Sequence, residues 1–244
     1  MSYRWNWAIF LQPVATGEPT TYLGWVLSGL DATVRIAAAG WIIALAVGVT
    51  MGVVRTLPGR SLYWCSASYV ALFRNIPLIV QFFLWFWVVP ELLPGRLGSL
   101  LKHMPPAEFG ALASIVCLGL FTSARICEQV RAGLQALPAG QRPAGLSLGL
   151  TTLQTYRYVL LPVAMRNLVP PLTSELLNIV KNSSVASTIG VLELTAEAQR
   201  MIDYTSQAYE SFAAIIAGYA LLTGLIMLAG RRIEKTVRLA ASGR

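Results

Sequence analysis

Charge is scarce in this chain. Of its 244 residues only 12% are Asp, Glu, Lys or Arg, while 55% are hydrophobic; an average soluble domain carries about 25% charged residues. There is a single histidine, His103, beside Pro105 and Pro106. Any Ser–His or Cys–His nucleophile pair would have to be built on that one imidazole, and we read it as a solvated loop side chain. Cysteine is also sparse: Cys65, Cys117 and Cys127 lie in or beside apolar stretches and show no Cys-x-x-Cys spacing. Cys117 and Cys127 stand too far apart along one helix to bond, so all three are expected to be small packing residues. None of Lys102, Lys181 and Lys235 follows a glycine, which excludes a Gly-x4-Gly-Lys-Ser/Thr phosphate loop. No His, Cys, Asp or Glu cluster has metal-ligand spacing. The first twenty residues lack the basic start and apolar core of a cleavable signal. These absences argue against an enzyme.

What the chain has instead is long charge-free runs. The longest are residues 36–54 and 211–230; shorter ones cover 75–90, 109–124 and 182–192. A helix needs about 20 apolar residues to cross the hydrocarbon core. The expected fold is therefore all-α and integral to a membrane, with about five transmembrane helices near 31–54, 61–90, 107–131, 167–190 and 209–230. Residues 1–21, with Trp5, Trp7, Pro13 and Pro19, read as an N-terminal surface segment. Residues 22–30 read as an amphipathic elbow along the interface, with Trp25 at headgroup level. Residues 193–210 are acidic and polar, a loop with room for a short helix. The second span is overlong at roughly 45 Å. It contains Arg74-Asn75-Ile76-Pro77, where proline removes a helix bond and restrains its predecessor, so a break is expected there. Gly48 and Gly52 form a Gly-x-x-x-Gly pair, read as internal helix packing rather than a subunit contact. No internal repeat is visible, and an odd number of spans speaks against the inverted-repeat plan of secondary transporters.

The net charge of +8 is a topology signal rather than a nucleic-acid footprint. With alternating spans and the N-terminus outside, the inner segments hold Arg55, Arg60, Arg131, Arg142, Arg157, Arg166, Arg231, Arg232, Lys235, Arg238 and Arg244. Only Glu128 and Glu234 oppose them, while the outer segments are acidic on balance. Basic residues are retained on the cytoplasmic side. The C-terminus, with a tail from 234 to 244, is accordingly expected to be cytoplasmic.

Polar groups inside apolar spans are costly and usually functional. Here they are Arg74, Asn75, Gln81, Arg125, Glu175, Asn178, Lys181 and Asn182. Glu175, Asn178 and Asn182 share one helical face by their spacing of three and four, and that face continues to Ser183. Two readings stand side by side: these residues line a hydrophilic path, or Glu175 and Glu128 simply neutralise Arg74, Arg125 or Lys181. The stretch 128–162 is too basic and too rich in Gly and Pro to cross a bilayer. It contains Gly140-Gln141, Ala144-Gly145, Gly149 and Leu161-Pro162, with a helix expected from about 141 to 149. As a merely solvated loop it would expose Leu146, Leu148, Leu150 and Leu153.

That spacing resembles the cytoplasmic coupling loop of ABC-type import permeases, and the wider resemblance is to their polar amino-acid branch. Phe73-Arg74-Asn75-Ile76-Pro77-Leu78 with Gln81 is similar to the branch's second-span signature. Lys181-Asn182-Ser183-Ser184, Ile189-Gly190 and Glu193-Leu194 are similar to its fourth-span signature. Glu128, Arg131, Gly140, Gln141, Ala144, Gly149, Leu161 and Pro162 match its coupling loop, taken as about 132–162. The Glu-Ala-Ala usual in that loop is here Pro143-Ala144-Gly145, which removes a carboxylate and leaves docking to Ala144 and Gly149. Trp5-Asn6-Trp7, Phe10-Leu11-Gln12 and Thr21-Tyr22-Leu23-Gly24-Trp25 resemble glutamate/aspartate permease subunits.

The resemblance implies an ABC type I importer permease fold, with residues 22–233 as the transmembrane domain behind a periplasmic segment 1–21. It implies a bacterial inner-membrane subunit with no ATPase site and no cofactor of its own. ATP and Mg would be used by a partner ATPase dimer docked at Gly140, Gln141, Ala144, Gly145, Gly149, Leu161 and Pro162. The translocation path would be formed with a sister permease and supplied by a periplasmic amino-acid-binding protein. Arg74, Arg125 and Lys181 would suit an acidic substrate. The competing reading is an ion-coupled secondary amino-acid transporter using Glu175 and Lys181 as a charge relay.

Overall fold

The computed structural model describes residues 3–242, with side chains to residue 237; of the inner basic residues, Arg244 and the Arg238 side chain lie outside the described residues. Apart from one isolated bridge between Pro13 and Thr21, the regular structure among these residues is helical. A 3-10 turn at Trp7–Leu11 is followed by α1 (Tyr22–Val54), α2 (Arg60–Asn75), α3 (Leu78–Leu92), α4 (Gly95–His103) and α5 (Pro106–Gln135). Then come α6 (Gln141–Ser147), α7 (Leu161–Asn182), α8 (Leu194–Thr205) and α9 (Ala208–Ser242). Among the described residues α1, α5 and the 208–237 part of α9 are long and apolar enough to cross a membrane, and α2 with α3 qualifies as one broken pair. That gives three or four spans by length and composition; α7 carries Arg166, Glu175, Asn178 and Lys181 and is more polar.

The expected break falls where proline puts it. α2 ends at Asn75, Ile76 is extended at φ −95° and ψ 128°, and Pro77 caps the start of α3. Two other prolines act more quietly. Pro90 and Pro162 each stand two residues after a π-helical turn, at Leu84–Val88 and Tyr156–Leu160. In both turns the wide bond closes just before the proline, Val89 N–H to the Leu84 carbonyl and Leu161 N–H to the Tyr156 carbonyl. A proline offers no N–H and crowds the carbonyl four residues back, so the ladder widens by one residue instead of breaking.

The chain divides into two compact units. The first comprises Met1–Gly40, Pro77–Leu118 and Ile179–Gly224. Its core joins Ile9, Val14, Tyr22, Trp25 and Met201. This corrects the expected elbow: nothing in 22–30 stops the helix, so α1 runs unbroken from Tyr22, and Trp25 is buried against α8. The segment 183–190 also differs from expectation. α7 stops at Asn182, and a 3-10 stretch, Ser183–Ile189, ends at Gly190 in the left-handed region, so the fourth apolar helix ends eight residues earlier than 167–190 implied. The polar stretch after it does form a helix, α8, whose N-cap Glu193 accepts the Ala196 N–H.

The second unit comprises Trp41–Ile76, Gly119–Asn178 and Leu225–Arg244. Ala44, Ile126, Val130, Leu134, Tyr156, Leu160, Ala164, Leu168 and Leu172 form its core. Gly48 and Gly52 pack internally as expected: a Cβ on Gly48 would stand 2.7 Å from Ile126 Cβ, and one on Gly52 2.6 Å from Val130 Cβ. Cys117 and Cys127 are buried packing residues, but Cys65 is exposed. The reason is the orientation of α2, whose next residue, Ser66, faces inward and donates to the Met51 carbonyl. Glu128 and Arg131 belong to the last turns of α5, not to the loop, because the helix continues to Gln135.

Candidate functional site

Two features of the second unit carry its chemistry, a charged cavity and an exposed short helix. The cavity, about 390 Å³, is lined by Arg74, Phe121, Arg125, Glu128, Gln129 and Glu175. Glu175, on α7 and only 4% exposed, is held at both oxygens from α5. Arg125 Nε donates to Oε2 at 2.9 Å and Gln129 Nε2 donates to Oε1 at 2.8 Å. Arg125 and Gln129 lie one helical turn apart, so a single face of α5 presents both donors. A carboxylate this deep is tolerated because both oxygens are paired.

Glu128, one residue before Gln129, turns to a different pair of cations. It accepts from Arg55 at the end of α1 and from Arg131, whose Nη2 lies 2.9 Å from Oε2. Arg74, from the end of α2, lines both this cavity and a neighbouring one of about 390 Å³ that also holds Arg55, Asn75 and Glu128. Among the described residues Arg74 has no ion pair. The neutralising pairs are therefore Glu175 with Arg125, and Glu128 with Arg55 and Arg131. Arg74 is left as the cation facing open space.

Of the residues expected along a path, Arg74, Asn75, Glu175 and Asn178 lie in the second unit, and Arg74 and Glu175 share one cavity. Gln81, Lys181, Asn182 and Ser183 belong to the first unit. There Gln81 is buried, Lys181 is exposed, and Ser183 donates to the Val180 carbonyl at 2.7 Å. Sequence reasoning missed Gln129, Phe121 and the role of Arg55. The four-residue spacing of Arg125 and Gln129 was a usable signal for the first; nothing local pointed from Arg55 to Glu128.

The short helix is α6. Gly149 follows it at φ +83°, with Gly149 N–H bonded to the Leu146 carbonyl and Leu150 N–H to the Gly145 carbonyl. This pair of bonds is the Schellman termination, which needs a left-handed residue and so favours glycine. Thr151 and Gln154 then form a reciprocal capping box that restarts the helix. Gly145 is buried against Thr155, where a Cβ would meet Cγ2 at 2.7 Å, so α6 lies directly on the turn that leads into α7. Tyr156 ties that turn to the end of α1 by donating to the Thr56 carbonyl at 2.9 Å. Gly140, Ala144 and Pro162 are exposed, Gln141 and Leu161 half-buried. Leu146, Leu148 and Leu153 are exposed as well, the last two by 82% and 75%.

The first unit holds a separate polar cluster. Glu18 accepts from the Trp25 indole at 3.0 Å and from Arg200, whose guanidinium stacks over the Trp25 ring at 3.8 Å. The Trp25 hydrogen bond, then Arg200, hold the Glu18 carboxyl below its ordinary range. Burial pushes the carboxyls of Glu193 and Glu197 up.

The chain is thus multi-helical, with a charged cavity and a short, glycine-terminated helix exposed between two long helices. The family model described as binding-protein-dependent transport system inner membrane component matches residues 44–239, and the chain belongs to that family. It is 52% identical over 240 residues to the glutamate/aspartate import permease protein GltJ of Escherichia coli (strain K12), covering 98% of this chain and 97% of that protein. It is 32% identical over 200 residues to the probable glutamine ABC transporter permease protein GlnM of Bacillus subtilis (strain 168), covering 82% and 86%. The fold matches a crystal structure of an amino acid ABC transporter with histidines at TM-score 0.71 and 27% identity, over 88% of this chain and 95% of that one. The methionine ABC transporter MetNI, in an inward-facing conformation, matches in fold at TM-score 0.73 and 24% identity, over 91% and 99%. The all-helical fold of ABC importer permeases is thus the fold of this chain.

Proposed function

We propose that this chain is the permease subunit of an ATP-driven importer of polar amino acids, with glutamate and aspartate as its substrates. The observation that carries the reading is α6. A rigidly terminated helix with Leu146, Leu148 and Leu153 exposed beside it is an apolar surface that calls for a protein partner. In this family's architecture that partner is a cytoplasmic ATPase, which would bind ATP and Mg while this chain hydrolyses nothing. Gly140, Gln141, Ala144, Gly145, Gly149, Leu161 and Pro162 shape the surface. Its movement reaches α7 through the turn after Thr151, and α7 carries Glu175.

The cavity supports an anionic substrate. Arg74, without an ion pair among the described residues, offers its guanidinium, and Arg125 keeps its outer edge open while Nε holds Glu175. Asn75 and Asn178, in the same unit, extend the proposed path, which a sister permease would complete and a periplasmic binding protein would feed. In this reading α7 is the fourth of five spans and α9 the fifth, the N-terminus faces the periplasm and the basic C-terminal end faces the cytoplasm. Near-full-length identity to a glutamate/aspartate permease supports the substrate.

The test is reconstitution. The chain, purified with whatever accompanies it from its native membrane, is placed in vesicles with the accompanying binding protein, and labelled glutamate uptake is followed. Uptake that requires ATP on the α6 side supports the reading. Uptake by the chain alone, driven by an ion gradient, overturns it in favour of a secondary transporter.

A further inference from the structure

A second cavity, about 250 Å³, lies in the first unit where α3 ends, α4 turns and α5 begins. Its apolar wall is aromatic: Phe86 stacks on Phe109 at 5.2 Å and meets Trp87 edge-on at 4.8 Å. Its rim carries one charge of each sign, Lys102 and Glu91, with Nζ and Oε2 2.6 Å apart and both side chains largely open to solvent. The translocation reading uses none of these residues.

The cavity is built, not incidental. α4 is pressed against the end of α3 at Gly98, where a Cβ would stand 2.6 Å from the Pro90 carbonyl oxygen. Only glycine allows that approach, and it fixes Lys102, one turn further on, beside Glu91. Trp87 in the wall is exposed, as are Leu92 at the end of α3 and Leu97 and Leu100 on α4. An amphipathic helix with outward leucines, set at the ends of two apolar spans and next to an exposed tryptophan, belongs at the membrane–water interface.

We infer that this cavity is a phospholipid site that selects a zwitterionic headgroup bearing a primary ammonium, of the phosphatidylethanolamine type. The phosphate would replace Glu91 on Lys102, and the ammonium would donate to Glu91. The acyl chains would continue down Phe86, Trp87 and the exposed leucines. The ligand offers the two charges of the ion pair in complementary order, so binding exchanges one pair for two and leaves neither side chain unpaired. An anionic glycerol headgroup would satisfy Lys102 and repel Glu91. A trimethylated headgroup would keep the charge and lose the N–H donors.

The full-length chain, purified in detergent, is equilibrated with equal amounts of phosphatidylethanolamine, phosphatidylglycerol and phosphatidylcholine, and the retained lipid is counted by native mass spectrometry. Wild type is expected to retain phosphatidylethanolamine about fivefold over either competitor, the preference expected of one charge-assisted hydrogen bond near a surface. Glu91→Gln with Lys102→Met is expected to lose that preference, and the swap Glu91→Lys with Lys102→Glu to restore most of it. Equal retention of the three lipids by wild type, or a preference unchanged in the neutral double variant, overturns the inference. Should the double variant fail to fold, the wild-type comparison among headgroups decides alone. The readout is independent of transport, so its failure leaves the importer reading untouched.

Discussion

Arg125 Nε and Glu175 Oε2 meet at 2.9 Å between α5 and α7, and Gln129 holds the other carboxylate oxygen from the same face of α5. The pair fixes a buried charge and at the same time lines the cavity beside Arg74. Arg125→Met leaves Glu175 with one donor. Because the Arg125 side chain is 43% exposed, the expected stability loss is about 1–3 kcal/mol rather than the full penalty for a buried pair. Glu175→Gln should cost less, since it removes the charge together with its need for a cation. Thermal melts of the two variants in detergent check the order.

Arg74 should separate function from stability. It has no ion pair among the described residues, so Arg74→Gln is expected to shift stability by less than about 0.5 kcal/mol while reducing glutamate uptake at least tenfold. Uptake near wild type with an unchanged melt would remove Arg74 from the path.

The surface next to α6 gives a third expectation. Leu148→Asp alters an exposed side chain, so insertion and melting should stay as in wild type while ATPase stimulation in the assembled complex falls severalfold. Gly149→Trp acts differently. Its Cβ would meet no atom within 4 Å, but the residue sits at φ +83°, so the cost is backbone strain of about 1 kcal/mol. Gly149→Asn, which tolerates that conformation, should recover most of the coupling. Stimulated ATPase rates of the three variants decide this.

Helix packing in the second unit can be tested at Gly52. A leucine there would collide with Val130 Cβ and the Cys127 carbonyl, and overpacking of this kind costs about 1–3 kcal/mol. Gly224, with no atom near a built Cβ, is the control and should accept alanine without loss.

The Glu18–Arg200–Trp25 cluster gives a pH dependence. The Glu18 carboxyl is held below its unfolded value, so its contribution is present above the ordinary carboxylate range and is lost as pH falls through the lowered value. Glu18→Gln should therefore melt earlier than wild type at neutral pH, and the difference should close in acid. Melts across pH read this directly.

Much of this was legible in the sequence because a bilayer makes simple demands. The apolar runs located α1, α5 and α9, Pro77 located the break, and the 141–149 spacing located α6 within two residues. The face shared by Glu175 and Asn178 was visible from spacing, but its partner was not. Which cation reaches Glu175 depends on how α5 rotates against α7, and Arg74, Arg125 and Lys181 were equivalent until that rotation was known. The expected elbow at 22–30 failed for a related reason: Trp25 reads as an interfacial residue until α8 is seen to cover it. Exposure of Cys65 likewise follows from the facing of α2, which composition does not encode.

The π turns before Pro90 and Pro162 have a consequence for the phase of the helices around them. Each inserts one residue into a helix, and one residue is about 100° of rotation. Side chains before and after 156–160 are thus out of step by a quarter turn or more, although the helix runs on without a gap. Seen as a screw, the stretch from Thr152 to Asn182 has one slipped thread. Deleting a single residue from 156–160 would close the thread and re-aim α6 relative to Glu175, leaving α7 after Pro162 packed as before. The proline thereby sets the angle between α6 and the helix face that carries Glu175.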